Sequence, residues 1–220
     1  LERRFMISRR TLGLAALAGL SFPLWAKEAV YIPLKSPLAN AKKTLMKVFS
    51  YDCPFCYRYD KSIDPWLCEQ ILPEIGLRFV PVFLESRAKY GPTAALFLAL
   101  CQREDEKLGR SLLSKTSLFS QAKDALYFAY LKQKERWPSG EDDFLKTLTE
   151  ATGLTRDFFF ARKNDSDVLS LRDAWRPAKD IAAIEGIPAY VVNGSFLVRN
   201  TAVRSKTDFG NIIRELSTLS

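Results

Sequence analysis

From Gly91-Pro92 to about Pro177 every apolar repeat in this sequence has helical spacing, and β-rich apolar runs lie only before and after that stretch. Such a chain has to close one sheet from two segments separated by a long all-helical block, so the fold class is α/β with a helical insertion. The first segment holds Leu45–Tyr51 (LMKVFSY) and Leu77–Leu84 (LRFVPVFL), with a helix between them from Cys53 to about Leu72. Pro54 suits the first turn of that helix, where a missing N–H costs nothing. Pro81 marks the second run as an edge strand or a bulge. The later segment reads Gly186-Ile187-Pro188-Ala189-Tyr190-Val191-Val192-Asn193-Gly194-Ser195-Phe196-Leu197-Val198, and Asn193-Gly194 between two apolar runs is a hairpin signal. Within the block Pro92 opens a helix, Ser139 and Thr155 read as N-caps, and Gly109 and Gly153 read as stops. Thr207 or Asp208 starts a last amphipathic helix through Leu216. There is no internal repeat and no low-complexity linker.

A length of 220 residues suits one domain carrying such an insertion, and 47% apolar residues are ample for a core. Residues 1–26 read as an address, not as part of the fold. Arg3, Arg4, Arg9 and Arg10 precede a charge-free run from Thr11 to Ala26, which as a helix would span about 24 Å against a hydrocarbon core of about 30 Å. A basic start, a short apolar middle and a small residue before polar sequence describe a secretory signal. Leu24, two residues before Ala26, is large for a cleavage site, which keeps an uncleaved anchor as the alternative. Ser8-Arg9-Arg10 resembles a twin-arginine signal, but Thr11-Leu12-Gly13 fits that pattern poorly, and the general secretion route is expected. Leu1 fits either an alternative start codon or a fragment. Without residues 1–26 the chain keeps 29 basic against 24 acidic side chains, a net charge of +5. Its basic residues are scattered along helices without stacking aromatics, which argues against nucleic acid and for acidic protein partners or anionic lipid.

There is no histidine anywhere, which removes Ser-His, Cys-His and His-metal chemistry together. Any chemistry must then come from cysteine, carboxylate, lysine or backbone groups, and the positions of the four cysteines matter more than their number. Cys53 at the first turn of a helix faces unsatisfied N–H groups and the positive end of the dipole, which favours a thiolate. Two intervening residues place Cys56 one turn along, within bonding reach and further inside. Disulfide exchange needs such an attacking sulfur with a second one beside it. A zinc site could be written from Cys53, Cys56, Cys68 and Cys101, but Cys68 and Cys101 form no second knuckle, and Cys68 is expected on the same helix as Cys56. A purely structural Cys53–Cys56 bridge is disfavoured because so short a loop removes little chain entropy. Cys68 and Cys101 read either as two buried thiols or as a second disulfide. Phe158-Phe159-Phe160 and Tyr127-Phe128 with Tyr130 read as core, and Lys132, Lys134 and Arg136 as a solvated helix face.

A strand leading into Cys53-Pro54-Phe55-Cys56, followed about 130 residues later by the Ile187-Pro188 hairpin, resembles the DsbA family of periplasmic thiol:disulfide oxidoreductases over essentially the whole chain after residue 26. The basic balance and the Cys-Pro-Phe-Cys sequence resemble its DsbL branch. The resemblance implies a thioredoxin fold with an inserted all-helical subdomain: residues 27–88 and 178–220 form the thioredoxin part and 89–177 the insertion. It implies that Pro188 is a cis-proline packed against the disulfide, that Cys53 attacks and that Cys56 resolves. Phe55 departs from the usual histidine, so one cationic stabiliser is missing. Lys47 stands where relatives bury an acid, and there it would favour a thiolate, whereas Asp52 acts in the opposite sense. Ile187 before Pro188 resembles the apolar residue of the oxidase branch. These residues, with Pro54, are the expected redox-tuning or substrate-contact set.

The expected function is an exported, periplasmic and monomeric oxidase that donates the Cys53–Cys56 disulfide to reduced, unfolded exported proteins. It would use no bound cofactor or metal, and an inner-membrane DsbB- or DsbI-type protein would reoxidise it. An isomerase or reductase of the same fold, or a chaperone-like module with structural cysteines, is the alternative.

Overall fold

The computed structural model describes residues 29–219, so the address expected over residues 1–26 lies outside the described residues. Five strands form one sheet: β1 (Tyr31–Pro33), β2 (Thr44–Phe49), β3 (Arg78–Phe83), β4 (Ala189–Val192) and β5 (Phe196–Val198), in the order β1-β5-β4-β2-β3. Strands β2 and β3 are parallel, and every other pair is antiparallel. The interior strand β2 is buried at all six positions, including Thr44 and Lys47. The two sequence segments thus meet in the middle of the sheet, where Lys47 lies opposite Pro81 on one side and Tyr190 on the other.

Pro81 sits on an edge strand, and its parity explains why it is tolerated. Arg78 donates its N–H to the Lys43 carbonyl and Leu84 to the Phe49 carbonyl, so even-numbered residues of β3 face β2. The missing amide of Pro81 therefore points outward, where no ladder bond is lost. The turn at Asn193-Gly194 joins β4 to β5, with both residues at positive φ (52° and 69°). Strand β1 was not expected: three residues are too short to show alternation.

The helices are α1 (Pro54–Ser62), α2 (Asp64–Trp66), α3 (Leu72–Ile75), α4 (Gly91–Lys107), α5 (Leu118–Tyr127), α6 (Glu141–Thr152), α7 (Arg156–Arg162), α8 (Ser166–Ala174), α9 (Ala178–Glu185) and α10 (Lys206–Ser217). The single helix expected from Cys53 to Leu72 is in fact broken. Pro65 and Pro73 each lack an amide donor, and a π-helical turn over Leu67–Ile71 lies between α2 and α3. Cys68 is in that turn, not on the helix of Cys56. A second π-helical turn, Phe128–Lys132, follows α5, so Lys134 and Arg136 lie beyond any helix.

Thr155 caps α7, accepting from the Phe158 amide at 3.1 Å, and Gly153 ends α6 in the left-handed conformation. Ser139 is not the cap of α6. Gly140 holds that place at φ 114°, and Glu141, Asp142 and Asp143 supply negative charge to the first turn instead of a side-chain cap. The last helix starts at Lys206, earlier than expected, because Ser205 caps it through the Asp208 amide.

Two apolar clusters flank the sheet. One joins Phe49, Tyr51 and Phe83 to Phe97, Phe119, Tyr127, Trp137 and Phe144 of the helical block. The other joins Leu45, Tyr190 and Val192 to Leu67, Ile71, Phe209 and Ile213. Phe159 and Tyr127 are core as expected, but Phe160 and Phe128 are exposed, on the outer sides of α7 and of the second π-helical turn.

Candidate active site

The chain leaves β2, passes Ser50 to Asp52 and enters α1 with Cys53 as its N-cap. Pro54 occupies the first turn, and the Cys53 carbonyl accepts from the Tyr57 amide at 3.1 Å. Cys53 and Cys56 are joined as a disulfide, with their Cα atoms 5.2 Å apart. The Cys56 amide donates to Cys53 Sγ at 3.1 Å, so one of the orphan N–H groups of the helix start is already aimed at that sulfur. Cys56 is fully buried and Cys53 is 2% exposed, so a partner meets only a sliver of sulfur. The ring of Phe55 beside it is 56% exposed, with the Arg58 guanidinium 4.4 Å from its centroid.

The loop after α9 faces the disulfide. Gly186 ends that helix, the Ile187–Pro188 peptide is cis, and the Ile187 carbonyl oxygen stands 3.5 Å from Cys53 Sγ. Asp52 pairs with Arg87 at 2.9 Å, so its negative charge beside Cys53 is offset.

Beneath the disulfide lies Lys47, 2% exposed. Its Nζ donates to the Cys56 carbonyl at 3.3 Å and pairs with Asp64 Oδ2. The other oxygen of Asp64 accepts from the Tyr190 hydroxyl at 2.5 Å. Next to them, Asp60 pairs with Lys123. Burial would raise the Asp60 carboxyl, but Lys123, with Lys47 and Lys61 further off, brings it below its ordinary range. Cys68 and Cys101 are free thiols, so no second disulfide ties the two parts together. Burial pushes Cys68 up to about 12, with Asp64 adding to the effect, and burial raises Cys101 well above the ordinary thiol range. Among the described residues no group of three or more His, Cys, Asp or Glu side chains is arranged to hold a metal ion.

No family model matches the chain. A thiol:disulfide interchange protein DsbL of Escherichia coli O6:H1 is 38% identical over 212 residues, which is 94% of this chain and 95% of that protein. The DsbL of Lelliottia amnigena is 39% identical over 190 residues, 86% of this chain and 85% of its own. The crystal structure of reduced DsbL matches with a TM-score of 0.81 at 38% identity, covering 88% of this chain and all 100% of that one. The chain belongs to the DsbL/DsbA family. DsbA from Proteus mirabilis, at 19% identity and a TM-score of 0.65 over 87% of this chain and 96% of its own, shares the thioredoxin fold.

As a DsbL/DsbA protein the chain is a thiol:disulfide interchange enzyme, a disulfide oxidoreductase. DsbA-type proteins use a cysteine disulfide and no cofactor. The fold brings the Ile187 carbonyl to Cys53, leaves Pro54 and Phe55 exposed beside the disulfide, buries Cys56 and Pro188, and places Lys47 against the Cys56 carbonyl and Asp52 next to Cys53. Sequence reasoning missed Asp64 and Tyr190. A lysine in the middle of an apolar strand signals that a carboxylate must be found for it, because fully buried lysines are paired. Nothing in the spacing says which one.

Proposed function

We propose that this DsbL/DsbA protein is an exported oxidase that donates its Cys53–Cys56 disulfide to the reduced cysteines of folding proteins in the periplasm. The observation that carries this reading is the placement of Cys53 at the start of α1, with its sulfur accepting from the Cys56 amide. That amide and the helix dipole stabilise the sulfur more as a thiolate than as half of a disulfide.

In the reaction a substrate thiolate attacks Cys53 Sγ, a new intermolecular S–S bond forms, and the Cys53–Cys56 bond breaks with its electron pair passing to Cys56. A second substrate thiolate then attacks the substrate sulfur of the mixed disulfide and expels Cys53 as a thiolate. The substrate dithiol is oxidised, the protein disulfide is reduced, and the protons of the substrate thiols pass to solvent and to Cys56. Ile187 presents backbone beside Cys53, where an extended peptide can pair as a strand. Phe55 offers it an apolar ring, and Pro188 holds the loop in place. In this reading residues 27–88 and 178–220 are the redox part and 89–177 an insertion covering one face. An inner-membrane protein of the DsbB or DsbI type regenerates the disulfide, and the enzyme acts as a monomer.

The test is oxidative folding of a reduced, unfolded model substrate by stoichiometric oxidised protein. Substrate disulfides should form as protein thiols appear one for one. Cys56→Ser, loaded at Cys53 as a mixed disulfide with glutathione, should accumulate a protein–substrate mixed disulfide as the substrate thiolate attacks Cys53 Sγ and glutathione leaves as a thiolate. Transfer that runs only from reduced protein to oxidised substrate would make the enzyme a reductase, and no transfer in either direction would leave a binding module.

A further inference from the structure

We propose that Asp64 and Tyr190 are positioning residues that set how much positive charge Lys47 presents to the disulfide, and so set the oxidising strength of the enzyme. This rests on the oxidase reading above and adds to it a buried unit that no sequence motif announces. Three elements supply it: β2 gives Lys47, α2 gives Asp64 and β4 gives Tyr190. All three side chains are buried.

Lys47 has three N–H donors. One goes to the Cys56 carbonyl at 3.3 Å and one to Asp64 Oδ2, leaving one uncommitted among the described residues. Asp64 spends its two oxygens on different partners, Oδ2 on the ammonium and Oδ1 on the Tyr190 hydroxyl. Asp64 therefore both anchors the lysine and opposes it, and the Tyr190 O–H draws part of the carboxylate's charge away from the ammonium. The neighbouring carboxylate, Asp60, pairs with Lys123 and, at 3.5 Å, with the more exposed Lys61. The four most buried of these charges, Lys47, Asp64, Lys123 and Asp60, are two cations and two carboxylates while the disulfide is closed.

Reduction changes that balance. When a substrate thiolate bonds to Cys53, the electron pair of the broken S–S bond arrives on Cys56, which has no solvent to accept it. When the mixed disulfide resolves, the charge passes to Cys53. Both events favour a cation below and are opposed by a carboxylate below. Removing the charge of Asp64 should make the protein a stronger oxidant. Removing the Tyr190 hydroxyl concentrates negative charge next to Lys47 and should make it a weaker one. The two substitutions take partners from the same cluster yet are expected to act with opposite sign.

The experiment is the equilibrium between the disulfide and reduced glutathione at pH 7 for full-length protein, as wild type, Asp64→Asn and Tyr190→Phe, with the melting temperature of each recorded. Asn keeps the shape of Asp, and Phe keeps the ring that packs on Phe209 at 4.9 Å and on Tyr59 at 6.1 Å. For Asp64→Asn the constant should move about tenfold toward reduced protein, and for Tyr190→Phe about two- to threefold toward oxidised protein. Unchanged constants, or shifts of the same sign in both variants, would overturn the proposal whatever happens to the melting temperatures. A wild-type disulfide that does not exchange with glutathione would instead defeat the oxidase reading on which the proposal rests.

Discussion

Cys53 and Cys56 are three residues apart and differ in every neighbour that matters for reactivity. Cys53 caps a helix, receives the Cys56 amide and borders an exposed aromatic ring, whereas Cys56 is sealed over Lys47. In the reduced protein, iodoacetamide at pH 6 should label Cys53 and leave Cys56 unlabelled, as mass spectrometry of the peptides would read out. Preferential labelling of Cys56 would reverse the assignment. Burial pushes Cys68 up to about 12 and raises Cys101 well above the ordinary thiol range, so both disfavour the thiolate. Both should stay unlabelled at pH 7 until the protein is unfolded, since the thiolate is the reacting species. Asp60 gives a pH signature of a different kind. Its carboxyl is lowered in the fold by Lys123 despite its burial, so the pair contributes stability above the unfolded carboxyl value of about 3.9. That contribution is lost as pH falls through the lower native value. Lys123→Met should therefore lower the melting temperature at pH 7 by several degrees and by much less at pH 2.

At the scale of elements, one close approach in a turn and one helix cap are each tested by a single substitution. Gly194 in the β4–β5 turn has φ +69°, and a Cβ there would lie 2.6 Å from the Ala41 Cβ and 3.1 Å from the Leu38 carbonyl. Gly194→Ala combines backbone strain with a clash and should cost about 1–3 kcal/mol, read as a lower urea midpoint at unchanged slope. Ser205 caps α10, the helix that buries Phe209, Ile213 and Leu216 against the sheet. Ser205→Ala should cost about 1 kcal/mol by loss of the bond to the Asp208 amide. The edge strand β3 turns the absent amide of Pro81 outward, which removes one of the donors that would otherwise recruit a foreign strand.

The whole molecule is a sheet closed across an insertion, and much of that was legible because it is written in local periodicity. The strands Leu45–Tyr51 and Leu77–Leu84 and the Asn193-Gly194 hairpin appear within one or two residues of their expected places. So does the N-terminal placement of Cys53. What could not be read is what depends on contacts across the fold. Strand β1 exists only because β5 offers it an edge, and three residues carry no pattern. The breaks in the helix after Cys56 follow from Pro65 and Pro73, whose effect depends on how the π-helical turn at Leu67–Ile71 is accommodated. Lys47 reads as a residue that favours the thiolate, but Asp64 and Tyr190 lie 17 and 143 positions away, where no spacing points to them. Cys68 and Cys101 had no spacing that could decide between bridge and thiol, and they remain thiols.

On the proposed oxidase reading this disulfide is held in order to be given away, and the magnitudes involved favour that reading. A four-residue loop constrains the unfolded chain by only about 2 kcal/mol. A thiolate at a helix N-terminus gains up to about 2 kcal/mol from the dipole and about 1.5–3 kcal/mol from a charged hydrogen bond such as that from the Cys56 amide. Reduction should therefore stabilise the protein. For a chain of this size each kcal/mol moves the melting temperature by about 2–4 °C. Thermal melts of the oxidised and reduced forms at pH 7 test this directly: the reduced form should melt several degrees higher, and an oxidised form that melts higher would contradict the account.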